Sequence, residues 1–252
     1  MRAILYVGHG TRAKKGAEEA KRFLQSVMDK VDEPIQEIGF LELTEPSIEA
    51  GFRRCVEQGA TSIDVVPIFL LTAGHMKHDI PDALQVLQEQ YPHVNVKLLE
   101  AFGVQEQILD AIAELVQDTA GVLSPHDSVL LVGRGSSDVT IQNDFANIAS
   151  GLRARIGVER VDVCYLAAAE PSFADGLEKI CREANASIVV VPYLLFGGLL
   201  LSEVQSAVRK KQQAGQLIVA ANALSRHAAI QDLVVARALW EGSVDVHAAS
   251  NH

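Results

Sequence analysis

Two histidines and a glutamate, His9, Glu42 and His75, are the residues whose types and positions could do chemistry together in this chain. His9 stands between Gly8 and Gly10 directly after the apolar run Ala3 to Val7. Glu42 follows the segment Pro34 to Leu41, and His75 follows the apolar stretch Ser62 to Leu71 and the loop Thr72-Ala73-Gly74. Each therefore falls just past a predicted strand. The strand ends of an open α/β sheet share one edge, and ligands bind there, so residues far apart in sequence can converge. Two imidazoles and a carboxylate suit a divalent first-row metal that must still accept another ligand. The same groups can act as bases, since imidazole titrates near neutrality and burial tunes a carboxylate upward. The glycines flanking His9 remove side-chain bulk and would let a ligand approach the ring. Taken singly, each of the three has a plain alternative as a loop or capping residue.

An internal repeat separates these readings. Val129-Leu130-Leu131-Val132-Gly133-Arg134-Gly135 echoes Ile4 to Gly10, Glu170-Pro171-Ser172 echoes Glu45-Pro46-Ser47, and Val190-Val191-Pro192 echoes Val65-Val66-Pro67. All three pairs stand 125 positions apart without a gap, and self-similarity of that length marks duplicated domains, since a solenoid unit is far shorter. In the same register His9 faces Arg134, Glu42 faces Ala167 and His75 faces Leu200. The framework persists while the three polar residues have no counterpart, which points to one active site, in the first half. Glu45 is retained as Glu170, so a structural role at the Pro-Ser helix start is expected for it.

The elements that must position these residues alternate along the chain. Helical spacing is read over Ala13–Val31, from Pro46 to about Gln58, from Asp79 (as N-cap) to Gln90 with Pro81 in the first turn, and over Val104–Thr119. Strands are read at Ala3–Val7, Pro34–Leu41, Ser62–Leu71 and Val94–Leu99; continuous apolar runs such as the third suit a parallel strand buried on both faces. The second half repeats this order, with strands at 128–133, 160–166, 187–194 and 216–221 and helices near 138–155, 171–184, 199–213 and 225–241. The fold expected is α/β: two duplicated doubly wound domains, each with a central parallel four-stranded sheet flanked by helices. The domains are drawn at 1–122 and 123–242, with a flexible tail at 243–252.

Composition narrows the function classes. A net charge of −10 over 252 residues argues against nucleic acid or an anionic membrane as partner. Arg12, Lys14, Lys15 and Lys77 cluster in sequence around the site loops and could supply a local field for an anionic small molecule, or be solvated helix-start residues. The most apolar run, Ile188 to Leu201, is too short to span a bilayer and contains a proline and two glycines. No signal peptide is read at the N-terminus. Cys55, Cys164 and Cys181 form no Cys-x-x-Cys pair and read as reduced structural thiols of a cytoplasmic protein.

Taken as an ordered set, Val7-Gly8-His9-Gly10-Thr11-Arg12, Phe40-Leu41-Glu42, Glu45-Pro46-Ser47, the Val-Val-Pro strand and His75-Met76-Lys77-His78-Asp79-Ile80-Pro81 resemble the class II metal chelatases. The likeness is strongest to the branch that inserts iron into sirohydrochlorin. It extends to Gly133-Arg134-Gly135-Ser136-Ser137-Asp138 and Pro192-Tyr193-Leu194-Leu195-Phe196, and so covers nearly the whole chain. The resemblance implies insertion of Fe2+ into sirohydrochlorin to give sirohaem with release of two protons. Cobalt insertion is the alternative, and Co2+ or Ni2+ are further candidate metals. His9, Glu42 and His75 match the family's metal-binding and catalytic positions. The metal would be a substrate and no cofactor would be permanently bound. Leu70, Leu71, Thr72, Ala73 and Gly74 would contact the tetrapyrrole, and the protein would act as a monomer. Competing readings are a non-catalytic tetrapyrrole or metal carrier, a structural scaffold, and a phosphohistidine enzyme. The last lacks the arginine expected where Gly8 stands.

Overall fold

Ala3 to Val7 carries no charged side chain and every residue from Ala3 to Gly8 is buried in strand β1 (Arg2–Gly8), as a strand covered on both faces must be. The structure is a computed structural model that describes residues 1–240; the tail expected at 243–252 lies outside the described residues. β1 pairs in parallel with β2 (Gln36–Phe40), Gly8 opposite Phe40, and on its other side with β3 (Ser62–Pro67), Val7 opposite Pro67. β4 (Asn95–Leu98) adds outside β3, giving the order β2-β1-β3-β4. Helices α1 (Lys14–Met28), α2 (Ile48–Glu57), α3 (Ile80–Gln90) and α4 (Glu106–Ala120) follow the four strands in turn. The second half repeats the scheme with β5 (Ser128–Gly133), β6 (Arg160–Tyr165), β7 (Ile188–Pro192) and β8 (Ile218–Ala220) in the order β6-β5-β7-β8. Its helices are α5 (Val139–Ile156), α6 (Phe173–Glu183), α7 (Leu199–Gln213) and α8 (Ala228–Ala238). The two parallel four-stranded sheets flanked by helices are those expected.

The order determines where a ligand can go. From β1 the chain steps to β2 on one side and then to β3 on the other. The switch point thus lies between β1 and β3, and the crevice for ligands opens beyond their carboxyl ends. Leu5, Val7, Phe52, Ile63, Val65 and Ile80 belong to the core cluster beneath that edge.

The duplication extends to backbone conformation. Gly10 and Gly135 both have φ +91°, Leu43 and Ala168 take φ +61° and +53°, and Glu45–Pro46 and Glu170–Pro171 are both cis. Ser47 and Ser172 each cap the following helix, accepting from the Ala50 and Asp175 amides. Glu45 and Glu170 each accept from the serine amide two residues on, the structural role expected of the retained glutamate.

Three local expectations need correction. Pro46 lies before the cap Ser47 and outside the first turn of α2, because the serine hydroxyl takes the amide that opens the helix. The third strand ends at Pro67 and not at Leu71; its apolar continuation packs as a loop, with Phe69 against the core cluster. Asp79 occupies the N-cap position of α3 but makes no side-chain cap bond, since its carboxylate is engaged elsewhere.

The compact units also divide differently from the 1–122 and 123–242 halves. One comprises Met1–Gly103 with the described residues from Gln231 on, the other Val104–Ile230. α4 packs against α5, β7 and β8. In the first unit Arg2 donates to the Ala238 carbonyl, Lys30 to Gln231 and Asp232, and Arg237 to the carbonyls of Ala101 and Phe102. Among the described residues no helix is long and apolar enough to cross a membrane.

Candidate functional site

The β1 loop is built by backbone contacts with the β2 loop. Leu41 and Glu42 extend the β1–β2 pairing through their amides, which donate to the carbonyls of Gly8 and His9 at 2.9 and 3.0 Å. A Cβ on Gly10 would lie 1.8 Å from the Glu42 carbonyl oxygen. Gly10 is thus required by the approach of two chain segments and by its positive φ, rather than by room for a ligand. Thr44 Oγ1 accepts from the Thr11 amide and donates to the Thr11 carbonyl, a second tie for which Ala169 in the other half has no hydroxyl.

His75 arrives from the β3 side. After β3 the chain runs through the partly buried Leu70, Leu71 and Ala73 and the exposed Thr72 and Gly74. It then enters a π-helical turn, His75–Asp79, closed by the Ile80 amide donating to the His75 carbonyl. Such turns are rare and recur at functional sites. The Leu70–Gly74 segment is anchored by the Gly103 amide at the Leu70 carbonyl, and Met76 and Lys77 donate to the Ala73 carbonyl.

These loops bring His9 and His75 together. Their Nε2 atoms lie 3.1 Å apart, and the rings meet edge to face, with centroids 4.6 Å apart and planes at 89°. His9 Nδ1 donates to the Gly10 carbonyl at 3.1 Å and lies 3.7 Å from Glu42 Oε1. His75 Nδ1 donates to Asp79 Oδ2 at 2.6 Å. The Gly10 carbonyl and Glu42 beside His9 Nδ1, and Asp79 beside His75 Nδ1, are acceptors, which assigns the N–H of each ring, when neutral, to Nδ1. With that assignment two lone pairs face each other across 3.1 Å, an arrangement a cation relieves. With metal–nitrogen bonds of about 2.1 Å, that separation corresponds to two cis ligands subtending about 95°.

His9, Glu42 and His75, expected to share an ion, are neighbours here but do not surround one point. Glu42 approaches the other nitrogen of His9, not the space between the rings. No group of three His, Cys, Asp or Glu side chains among the described residues is arranged to hold an ion. The site is a row: Glu42, His9, His75, Asp79. The reason is geometric, since Glu42 is held on the β2 side of His9 while His75 comes from the β3 side.

Phe69, on the loop after β3, lies against His9 with ring centroids 6.3 Å apart. Sequence pattern singles out neither Phe69 nor Asp79: Phe69 falls inside an apolar run that reads as strand, and Asp79, four residues after His75, reads as a helix cap. His78, Arg12, Lys14, Lys15 and Lys77 are exposed.

Comparison with known proteins agrees with the fold and the duplication. The CbiX family model matches the chain twice, over residues 3–119 and 128–239, the two matches starting 125 positions apart as the repeat does. The sirohydrochlorin ferrochelatase of Priestia megaterium is 44% identical over 227 residues, covering 90% of this chain and 85% of that protein. A solved structure of SirB from Bacillus subtilis with Fe3+ superposes with a TM-score of 0.84 at 38% identity, over 94% of this chain and 93% of that one. The sirohydrochlorin chelatase SirB from Bacillus subtilis subspecies spizizenii in complex with cobalt gives 0.80 at 36% identity, with the same coverage. With both halves matched and the switch-point histidines in place, the chain belongs to the CbiX family.

Proposed function

We propose that this protein is a metal chelatase that inserts Fe2+ into sirohydrochlorin, forming sirohaem and releasing two protons. The observation that carries the site assignment is the pair of Nε2 atoms 3.1 Å apart at the switch point. His9 and His75 take up the metal through these nitrogens. Two protein ligands leave most of the coordination sphere to water and then to the pyrrole nitrogens, as a site that must release its metal requires. Metallation removes two pyrrole N–H protons, so a base must stand near the ring. Glu42 fills that role: its side chain is about half exposed and lies beside His9, able to receive a proton and pass it to solvent. Leu70, Leu71, Thr72, Ala73 and Gly74, chain neighbours of His75, supply the surface that contacts the tetrapyrrole.

The protein would work in the cytoplasm as a monomer. The three cysteines are free and buried, which suits a reducing compartment, and both copies of the repeat reside in one chain. The decisive experiment is an anaerobic assay of iron-dependent loss of sirohydrochlorin absorbance. The unaltered chain turns over many equivalents and His9→Ala abolishes the reaction. Stoichiometric binding without turnover would identify a carrier instead, and near-normal turnover in His9→Ala would remove that residue from the mechanism.

A further inference from the structure

His75 is held by a carboxylate that the repeat treats as its companion. Asp79 accepts from His75 Nδ1 at 2.6 Å, leaves its N-cap position without a cap bond, and is roughly half exposed. In the second half, position 75 becomes Leu200 and position 79 becomes Val204, which is fully buried. The histidine and the aspartate are thus lost together. Backbone form differs in parallel: α7 begins as an ordinary α-helix at Leu199, whereas the first half inserts the π-helical turn His75–Asp79. A turn closed by i→i+5 bonds takes more than four residues, which brings side chains four apart nearly into line along the axis. The π turn and the His–Asp pair are therefore one feature, present where the imidazole pair is present.

We propose that Asp79 is a positioning residue for metal uptake, fixing His75 with its Nδ1–H toward the carboxylate and its Nε2 lone pair toward His9. This rests on the reading that His9 and His75 receive the metal. A carboxylate on the far nitrogen of a ligating histidine sets the tautomer, orients the ring and raises its basicity. His9 obtains its tautomer from the Gly10 carbonyl, with Glu42 further off. His75, at the start of a largely exposed turn, has the side chain of Asp79 for the same purpose. Without it the ring could rotate or place its proton at Nε2, and the pair would present one lone pair instead of two.

The test uses the full chain under anaerobic conditions, with Co2+ alone as the probe, titrated by its visible d–d absorption, alongside kcat and KM for metal and for sirohydrochlorin. Asp79→Ala should weaken Co2+ binding by roughly 10- to 100-fold and raise the metal KM by a similar factor. The sirohydrochlorin KM and the melting temperature should not change. Asp79→Asn, which keeps an acceptor oxygen without the charge, should fall between. Co2+ affinity in Asp79→Ala equal to that of the unaltered chain would overturn the proposal, as would a loss matched by a fall in melting temperature. His75→Ala separates the two levels of inference. If it too binds Co2+ normally, the metal-site reading fails; if it loses Co2+ while Asp79→Ala retains it, the assignment of Asp79 alone fails.

Discussion

At the scale of single residues, the geometry separates groups that sequence could only gather into one set. His9 and His75 face each other through Nε2, whereas Glu42 stands at His9 Nδ1, 3.7 Å away. If Glu42 is the base, Glu42→Gln should lower kcat by roughly 10²- to 10⁴-fold while Co2+ affinity falls far less than in His9→Ala. A large loss of Co2+ binding in Glu42→Gln would instead make it a ligand. If His9 and His75 take up the metal, it is weakly specified, because two imidazoles bind first-row ions in the Irving–Williams order and favour Co2+ over Fe2+. Co2+ should therefore be inserted in vitro, and complete inactivity with cobalt in the anaerobic assay would reveal a geometric filter elsewhere. The thiols illustrate residues with no part in this chemistry. Burial pushes Cys55 and Cys164 up to about 12 and raises Cys181 as well. At neutral pH all three should resist a thiol reagent until denaturant is added, and rapid native-state labelling would contradict that.

At the scale of elements, the site depends on loops whose backbone the repeat duplicates. Gly10 and Gly135 share φ +91°, and a Cβ on either would strike a carbonyl oxygen, of Glu42 or of Ala167, at under 2 Å. Forcing an L-residue into that region costs about 1–2 kcal/mol before the clash is counted. Both Gly10→Ala and Gly135→Ala should thus destabilise by at least about 2 kcal/mol, measured by denaturant unfolding. Only Gly10→Ala should also abolish Co2+ binding in the folded protein, because only its loop carries the histidine. Equal loss of Co2+ binding in the two variants would refute this division. Strand and helix identities were legible because the periodicities are strong: α5 and α7 follow the segments read for them. The π-helical turn and the early end of β3 were not, since an apolar run such as Ile68-Phe69-Leu70-Leu71 is equally compatible with a strand or a packed loop.

At the scale of the whole chain, the repeat announces two copies but not how the chain is shared between compact units. α4 belongs with the second unit, and the residues from Gln231 return to the first. A fragment ending at residue 122, the boundary drawn from sequence, would strand α4 without α5, β7 and β8. It would also leave Arg2 without the Ala238 carbonyl. Such a fragment should show no cooperative unfolding transition, whereas 104–230 retains its sheet and the helices that cover it. A sharp thermal transition for 1–122 would show that the exchanged helices contribute little.

Sequence alone determined the α/β class and the duplication, and it singled out His9, Glu42 and His75 of the first half as the candidate set. These follow from residue type, local periodicity and register, which are properties of neighbours along the chain. Only the tertiary structure decided that the two imidazoles meet through Nε2, that Glu42 lies outside that contact, that Asp79 faces His75, and that the terminal helices change places between units. Those are distances between segments tens of residues apart. They are set by sheet order, by backbone approaches such as Gly10 to Glu42 and by the winding of one turn, none of which a linear pattern records.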